Sequence, residues 1–220
     1  MKPTLLASAL VASALSFSTI AGAATISGLS NTGVGAGGTA DTHYKLTAVT
    51  SDTTLASNVP VITLDSVWPI NPWMANSSVS KWITPTSSQG QSFDAASNGS
   101  YTYSLDFNLA GYQPATAAFT GRVAADNSVT VLLNNQVIAT GSGFSDWSSF
   151  SANSGFVSGA NRLDFVVSNW AQNGGNPTGL RVEFDSTSVA AAVPEPETYA
   201  LMLGGLGLIG VIARRRRQPV

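Results

Sequence analysis

The sequence predicts an all-β domain, a jelly-roll β-sandwich, flanked by an N-terminal signal peptide and a C-terminal single transmembrane helix. Three observations predict it. Between residues 24 and 190, apolar and polar residues alternate with a period of two in about eight or nine short runs. Ser, Asn, Gly and Pro separate those runs, and none of them holds a 3.6-residue apolar period over three turns, which favours a sandwich. Long apolar stretches lie at the two ends, each beside basic residues: Lys2 at one, and Arg214, Arg215, Arg216 and Arg217 at the other.

The elements follow in order from local signals. Met1-Lys2-Pro3, an apolar run over 4–20 and the small residues Ala21-Gly22-Ala23 supply the basic, apolar and cleavage regions of a signal peptide over residues 1–23. The β-sandwich domain then spans 24–190. Its first stretch, 24–42, is rich in Gly and poor in aromatics, and reads as a flexible lead-in or a weak edge strand. Residues 43–50 alternate loosely, 60–65 form a short β-branched run, and 81–84 form another. Residues 101–109 place Tyr101, Tyr103, Leu105, Phe107 and Leu109 on one face, the pattern of a half-buried strand. A run over 116–123 follows. Residues 128–133 and 136–140 flank Asn134-Asn135, two residues that tolerate positive φ and read as a two-residue hairpin turn. Runs over 162–168 and 179–185 close the set.

Composition narrows the chemistry. With 0 Cys, the chain has no thiol nucleophile, Cys metal site or disulfide. About 170 residues between the ends suffice for one core without such staples. Setting aside Glu195 and Glu197 leaves ten of the 12 acidic residues in the domain, against five basic ones: Lys45, Lys81, Arg122, Arg162 and Arg181. An acidic domain repels phosphate backbones, so no nucleic-acid partner is expected.

The segment 191–220 carries the most specific signal. Val193, Pro194, Glu195 and Pro196 precede Glu197, then an apolar run over about 199–213, then the basic cluster 214–217. The prolines hold the backbone extended and open to a processing enzyme. The apolar run is short of the ~20 residues of a full span, with snorkelling arginines or local thinning to bridge the gap. The arginines stay cytoplasmic by the positive-inside rule. This order resembles the PEP-CTERM sorting signal. The resemblance implies processing by an exosortase, an inner-membrane intermediate in transit, and a Gram-negative host that makes exopolysaccharide, with the cell surface or extracellular matrix as destination. A plain membrane anchor with a proline-rich linker is the alternative.

A second resemblance covers residues 80–185. Trp82-Ile83-Thr84-Pro85, Gly99-Ser100-Tyr101-Thr102-Tyr103, Ala124-Ala125-Asp126-Asn127, Asn134-Asn135, then Phe156, Ser158, Gly159, Asn161 and Leu163, and Asn176-Pro177-Thr178-Gly179-Leu180-Arg181-Val182 look like galactose-binding-like jelly rolls. The resemblance implies a non-catalytic, sugar-binding module, although the fold alone does not set function.

Candidate site residues follow from the aromatics. Sugars stack their C–H faces on exposed rings beside Asn and Asp. Trp68 and Trp73 share a Pro-stiffened loop, and Trp170 lies in a polar loop with Asn173 and Asn176. Trp147 follows a Gly-rich turn among Ser and Asp. These six residues are the expected ligand contacts; the competing role for each Trp is core filling, favoured for Trp82. No catalytic residue is expected. His43 is the only imidazole and no G-x-S-x-G elbow exists. Glu183, the domain's one Glu, reads as half of a surface cross-strand pair, leaving a glycoside hydrolase remote. No cofactor or metal site is expected: Asp94, Asp126, Asn127 and Asp146 could serve a structural calcium, but turn capping explains them as well. A polysaccharide-binding protein and a purely structural or adhesive matrix protein remain the two readings.

Overall fold

A computed structural model describes residues 23–192 and 196–216. The signal peptide, apart from Ala23, lies outside the described residues, as do Val193, Pro194, Glu195 and Arg217. The described residues 23–192 form one compact unit.

Nine strands make up this unit among the described residues. They are β1 (Ala23–Ala24), β2 (Lys45–Thr50), β3 (Val61–Ile62), β4 (Ile83–Thr84), β5 (Gly99–Asn108), β6 (Tyr112–Leu133), β7 (Gln136–Ala152), β8 (Ala160–Asn169) and β9 (Gly179–Ala191). Hydrogen bonding links them in the order β2-β5-β8-β6-β9-β4-β3, with β1 on β9 and β7 on β6. All of the strand pairs are antiparallel.

β6 turns this order into a sandwich. Its first part pairs with β9 up to Asp126↔Gly179, and its last part pairs with β8 from Ser128↔Ser168. One strand therefore belongs to both layers, and the register breaks between Ala125 and Ser128, where it passes from one to the other. The sequence reads this strand as two, over 116–123 and 128–133, because Asp126-Asn127 looks like a turn. The chain bends there instead.

The inner faces follow the period-two pattern. Tyr101, Val167 and Val129 form one cross-strand row, Tyr103, Phe165 and Val131 a second, and Leu105, Leu163 and Leu133 a third, all of them buried. The opposite layer contributes Phe119, Val123, Leu180 and Val182 to the same core. Phe150 joins the layers, edge-on to Phe165 at 5.8 Å and to Phe119 at 5.9 Å. Burial of each such side chain contributes about 1.5–3 kcal/mol. Gly121 makes room for Phe150: a Cβ there would lie 2.6 Å from the ring's Cζ and 2.5 Å from the Glu183 carbonyl oxygen.

The Asn134-Asn135 hairpin forms as expected, with φ of 49° and 68° and Leu133 paired to Gln136. Two expectations are corrected. Residues 24–42 are not a flexible lead-in. Thr32 is fully buried, its amide donates to Val182 O and its hydroxyl to Lys81 O, and buried Asp41 accepts from the amides of Gly33, His43 and Tyr44. Small residues here allow close backbone contact, which composition alone reads as looseness. The segment holding Ser145, Asp146 and Trp147 is not a loop either but part of β7, paired to β6 through Val123↔Ser148. Its Ser and Gly content hides the strand.

A second, smaller core forms on the outer face of the β9 layer. Ile70, Trp73 and Trp82, from the long connection between β3 and β4, pack on Ala124 of β6, with Met74, Phe144 and Trp147 against them. The Trp73 and Trp82 rings lie 4.5 Å apart.

Described by itself, α1 (Pro196–Arg216) contains the apolar stretch expected at 199–213, as well as Arg214, Arg215 and Arg216. Among the described residues no helix is long and apolar enough to cross a membrane. Fifteen residues of helix reach about 22 Å, against a hydrocarbon core of about 30 Å. Gly204, Gly205, Gly207 and Gly210 dilute its hydropathy further.

Candidate functional site

The β6 bend and two neighbouring loops enclose a cleft of about 290 Å³. One wall is the segment Trp68-Pro69-Ile70-Asn71-Pro72-Trp73, which folds back on itself. The Trp73 amide donates to Pro69 O at 3.0 Å and the Asn71 amide to Trp73 O at 2.9 Å. Gln89 anchors the segment's start, its Nε2 donating to Val67 O. This fold sends the two tryptophans to opposite fates. Trp73 turns inward, 3% exposed, and Gly179 gives it space, since a Cβ there would meet its ring at 2.6 Å. Trp68 stays at the rim, 57% exposed, beside Gly90.

The floor is the bend itself. Asp126 is 4% exposed. Its Oδ2 accepts from Trp73 Nε1 at 2.8 Å, and its main-chain carbonyl accepts from Thr178 Oγ1 at 2.7 Å. The other carboxylate oxygen, Oδ1, is buried without a hydrogen-bond partner. The far wall is the β8–β9 loop. Asn176, 9% exposed, donates from Nδ2 to Trp170 O at 2.8 Å, and its Oδ1 likewise has no partner. The loop is fixed to its surroundings by the reciprocal Phe93–Asn176 main-chain pair and by Asn127 Oδ1, which accepts from the Trp170 amide at 2.7 Å. Buried polar groups are almost always paired. Asp126 and Asn176, which line the cleft together with the polar side chains of Ser92, Asn127 and Gln172, each keep one buried acceptor atom without a partner.

Of the six residues expected at a ligand site, the structure brings Trp68, Trp73 and Asn176 to this cleft. Trp73 contributes a buried wall rather than an exposed platform. Trp170 is 53% exposed, but its main chain, not its ring, meets the cleft's residues. Asn173 is exposed on the same loop and does not line the cleft. Trp147 is elsewhere, packed on the outer core with the guanidinium carbons of Arg122 and Arg181 at 4.7 and 5.0 Å from its ring centroid. A ring engaged by two cations in this way is a structural contact. Sequence reasoning placed Asp126 among possible calcium donors and missed its part in the cleft. The signal that could have found it is a charged residue between two strand runs.

Other acidic residues are occupied. Asp94 accepts from Ser51 Oγ, Tyr101 Oη and Asn169 Nδ2, so hydroxyl and amide donors fill the role considered for a cation. Among the described residues no group of three or more His, Cys, Asp or Glu side chains is placed to hold a metal. Glu183 is a further correction: it is not a surface residue but a buried one, held by Arg122, Arg181 and Ser80. His43 lies outside the strands, just before β2, with its ring near buried Asp41.

Burial pushes the Asp126 carboxyl up to about 6, and the Trp73 indole N–H opposes that rise. The sign for stability follows. Below about pH 4 the group is protonated folded and unfolded, and contributes nothing. Above about 6 it is ionised in both states, and ionising it in the fold costs about 2–3 kcal/mol. The parent protein is therefore expected to gain stability as pH falls from 6 to 4, before the depressed carboxyls of Asp52 and Glu183 are lost. Urea unfolding across this range should show that slope flattened in Asp126→Asn. An identical slope in the variant would sink the assignment.

The tail matches the family model described as the PEP-CTERM protein-sorting motif over residues 192–217. A comparison with curated proteins finds no match. Among solved structures, the chain is similar to a family 35 carbohydrate binding module from an environmental isolate (16% identity, 66% of this chain and 99% of that one, TM-score 0.27). It is also similar to a mutant of the family 29 module CBM29-2 (13% identity, 68% and 99%, TM-score 0.31). A third is the CBM36-1 domain of a multidomain xylanase from the hindgut metagenome of Trinervitermes trinervoides (12% identity, 70% and 98%, TM-score 0.28). At these TM-scores the likenesses carry no weight for what this chain binds. The tail match does carry weight: the chain bears, at residues 192–217, the PEP-CTERM sorting motif, which implies export and processing by an exosortase.

Proposed function

We propose that this is a protein of the cell surface or extracellular matrix of a Gram-negative bacterium, whose β domain binds polysaccharide without turning it over. The observation that carries the reading is the cleft, lined by the exposed Trp68 and by the polar residues Ser92, Asp126, Asn127, Gln172 and Asn176. The ring offers a stacking face for a pyranose, and the polar side chains offer hydrogen-bond partners to its hydroxyls. The non-catalytic reading is supported by Glu183, which is locked between guanidinium groups rather than aimed at a cleft.

In this reading the signal peptide brings the chain to the membrane and the apolar part of α1 stalls there, with the arginine cluster cytoplasmic. Exosortase then cuts at the Pro194-Glu195-Pro196 motif and frees the domain. One preparation tests both parts. Mature protein recovered from the producing cells should lack the arginine-ended tail by mass spectrometry, and should be retained on the cells' own polysaccharide. Trp68→Ala should lose about tenfold in retention, roughly 1.4 kcal/mol, with an unchanged melting temperature because the ring is mostly exposed. An intact arginine-ended C-terminus would overturn the sorting reading. Undiminished retention of the variant would overturn the cleft as the binding site.

A further inference from the structure

Trp68 borders two concavities. Besides the cleft, it lines a hollow of about 540 Å³ together with Leu64, Ser87, Ser88 and Gln91. The two linings meet at consecutive residues in two places. Trp68 lines the hollow and Pro69 the cleft; Gln91 lines the hollow and Ser92 the cleft. The hollow and the cleft therefore adjoin, with the exposed Trp68 at their shared border.

That border is held firmly. Gln89 is buried, accepts from the Leu64 amide at 2.7 Å and donates to Val67 O at 2.9 Å, which clamps the chain just ahead of Trp68. Gly90 lets the ring lie close, since a Cβ there would come within 2.8 Å of Trp68 Cδ1. A ring fixed before its ligand arrives loses little freedom on binding.

The polar groups on both sides suit an uncharged sugar. Ser87 and Ser88 in the hollow, and Ser92 and Gln172 in the cleft, are exposed. Hydroxyls and amides both donate and accept, which answers sugar hydroxyls in either orientation. Among the described residues no Lys, Arg or His lines either concavity. Their one charged side chain, Asp126, is buried and takes the Trp73 N–H. An acidic chain would give up the hydration of its carboxylates there without gaining a cation.

We propose that the hollow and the cleft together hold an internal stretch of a neutral polysaccharide, one sugar on the Trp68 ring and its neighbours in the chain to either side. This rests on the polysaccharide reading above, and adds the charge of the chain and how it lies. Two adjoining concavities leave room for the chain to continue past the ring in both directions, which a pocket for a chain end does not.

The test uses the full-length protein and the producing cells' own polysaccharide, separated by anion exchange into neutral and acidic fractions. Retention should follow the neutral fraction. Partial hydrolysis and sizing of that fraction supply trimers and hexamers for calorimetric titration. The hexamer should bind at least about tenfold tighter than the trimer. Ser88→Tyr fills the hollow and Gln172→Tyr narrows the cleft; both positions are exposed, so both variants should keep the parent melting temperature. Each should bring hexamer binding to within about twofold of the parent's trimer value. The length dependence is read on the parent protein and stands even where a variant fails to fold. Retention on the acidic fraction equal to or above that on the neutral one, a trimer as tight as the hexamer, or undiminished hexamer binding in either folded variant would overturn the proposal and leave the polysaccharide reading standing. Retention on neither fraction would overturn both.

Discussion

A Trp82→Ala variant is expected to lose about 3–5 kcal/mol of unfolding free energy. Trp82 is fully buried although it packs outside the main core. Its ring stacks on Trp73 at 4.5 Å, its indole N–H donates to Met74 O at 2.9 Å, and its amide donates to Asn76 Oδ1 at 3.0 Å. Removing the ring opens a cavity between the β3–β4 connection and β6, and strands the Met74 carbonyl. The same ring backs Trp73, which holds Asp126 in the cleft. The loss should therefore appear both as a lower urea midpoint and as weaker ligand binding. A change below about 1 kcal/mol would mean that the outer core unfolds apart from the main one.

Glu183→Gln is expected to be as damaging, at about 3–5 kcal/mol, for an electrostatic reason. The carboxylate is buried between layers of donors. Oε1 accepts from Ser80 Oγ at 2.6 Å and Arg181 Nη2 at 3.4 Å, and Oε2 accepts from Arg122 Nε at 2.8 Å. Burial alone would raise its pKa, but the Ser80 hydroxyl and the Arg122 and Arg181 guanidiniums more than offset that and hold it below the usual range. Arg181 is shifted the other way, mainly by its burial. The amide leaves the Arg181 charge buried without an anion. Adding Arg181→Met to Glu183→Gln should recover part of the loss, since no unpaired buried charge remains. The sign in acid follows from the depressed pKa. Glu183 stabilises the fold above its unfolded value, and that contribution is lost as pH falls through the lower folded value. Urea unfolding of the single and double variants reads this coupling directly, and additive losses would rule it out.

Much of the architecture is legible in the sequence because period-two burial is a local signal. Tyr101, Tyr103, Leu105 and Phe107 announce β5, and Asn134-Asn135 announce the hairpin through their tolerance of positive φ. What is not legible depends on partners distant in the chain. β7 carries Gly141, Ser142, Gly143, Ser145 and Ser148, a turn-like composition, and is a strand because β6 lies alongside it. Residues 24–42 look loose, yet small side chains are what let Thr32 and Gly33 lie against Lys81 and Val182. Trp68 and Trp73 are five residues apart in one loop and look alike in sequence. Trp73 is the buried one because its indole N–H reaches Asp126, more than fifty residues on, and its ring meets Trp82 and the space left at Gly179.

The two ends of β9 have different neighbours. Gly179 sits beside Asp126, whereas Ala190 sits beside Ala23 and leads to the point where the chain leaves the domain. At ~3.3 Å per residue, those ends are roughly 40 Å apart along the strand. The mouth that contains Trp68 lies at the Gly179 end of the strand, far from the end at which the chain leaves the domain.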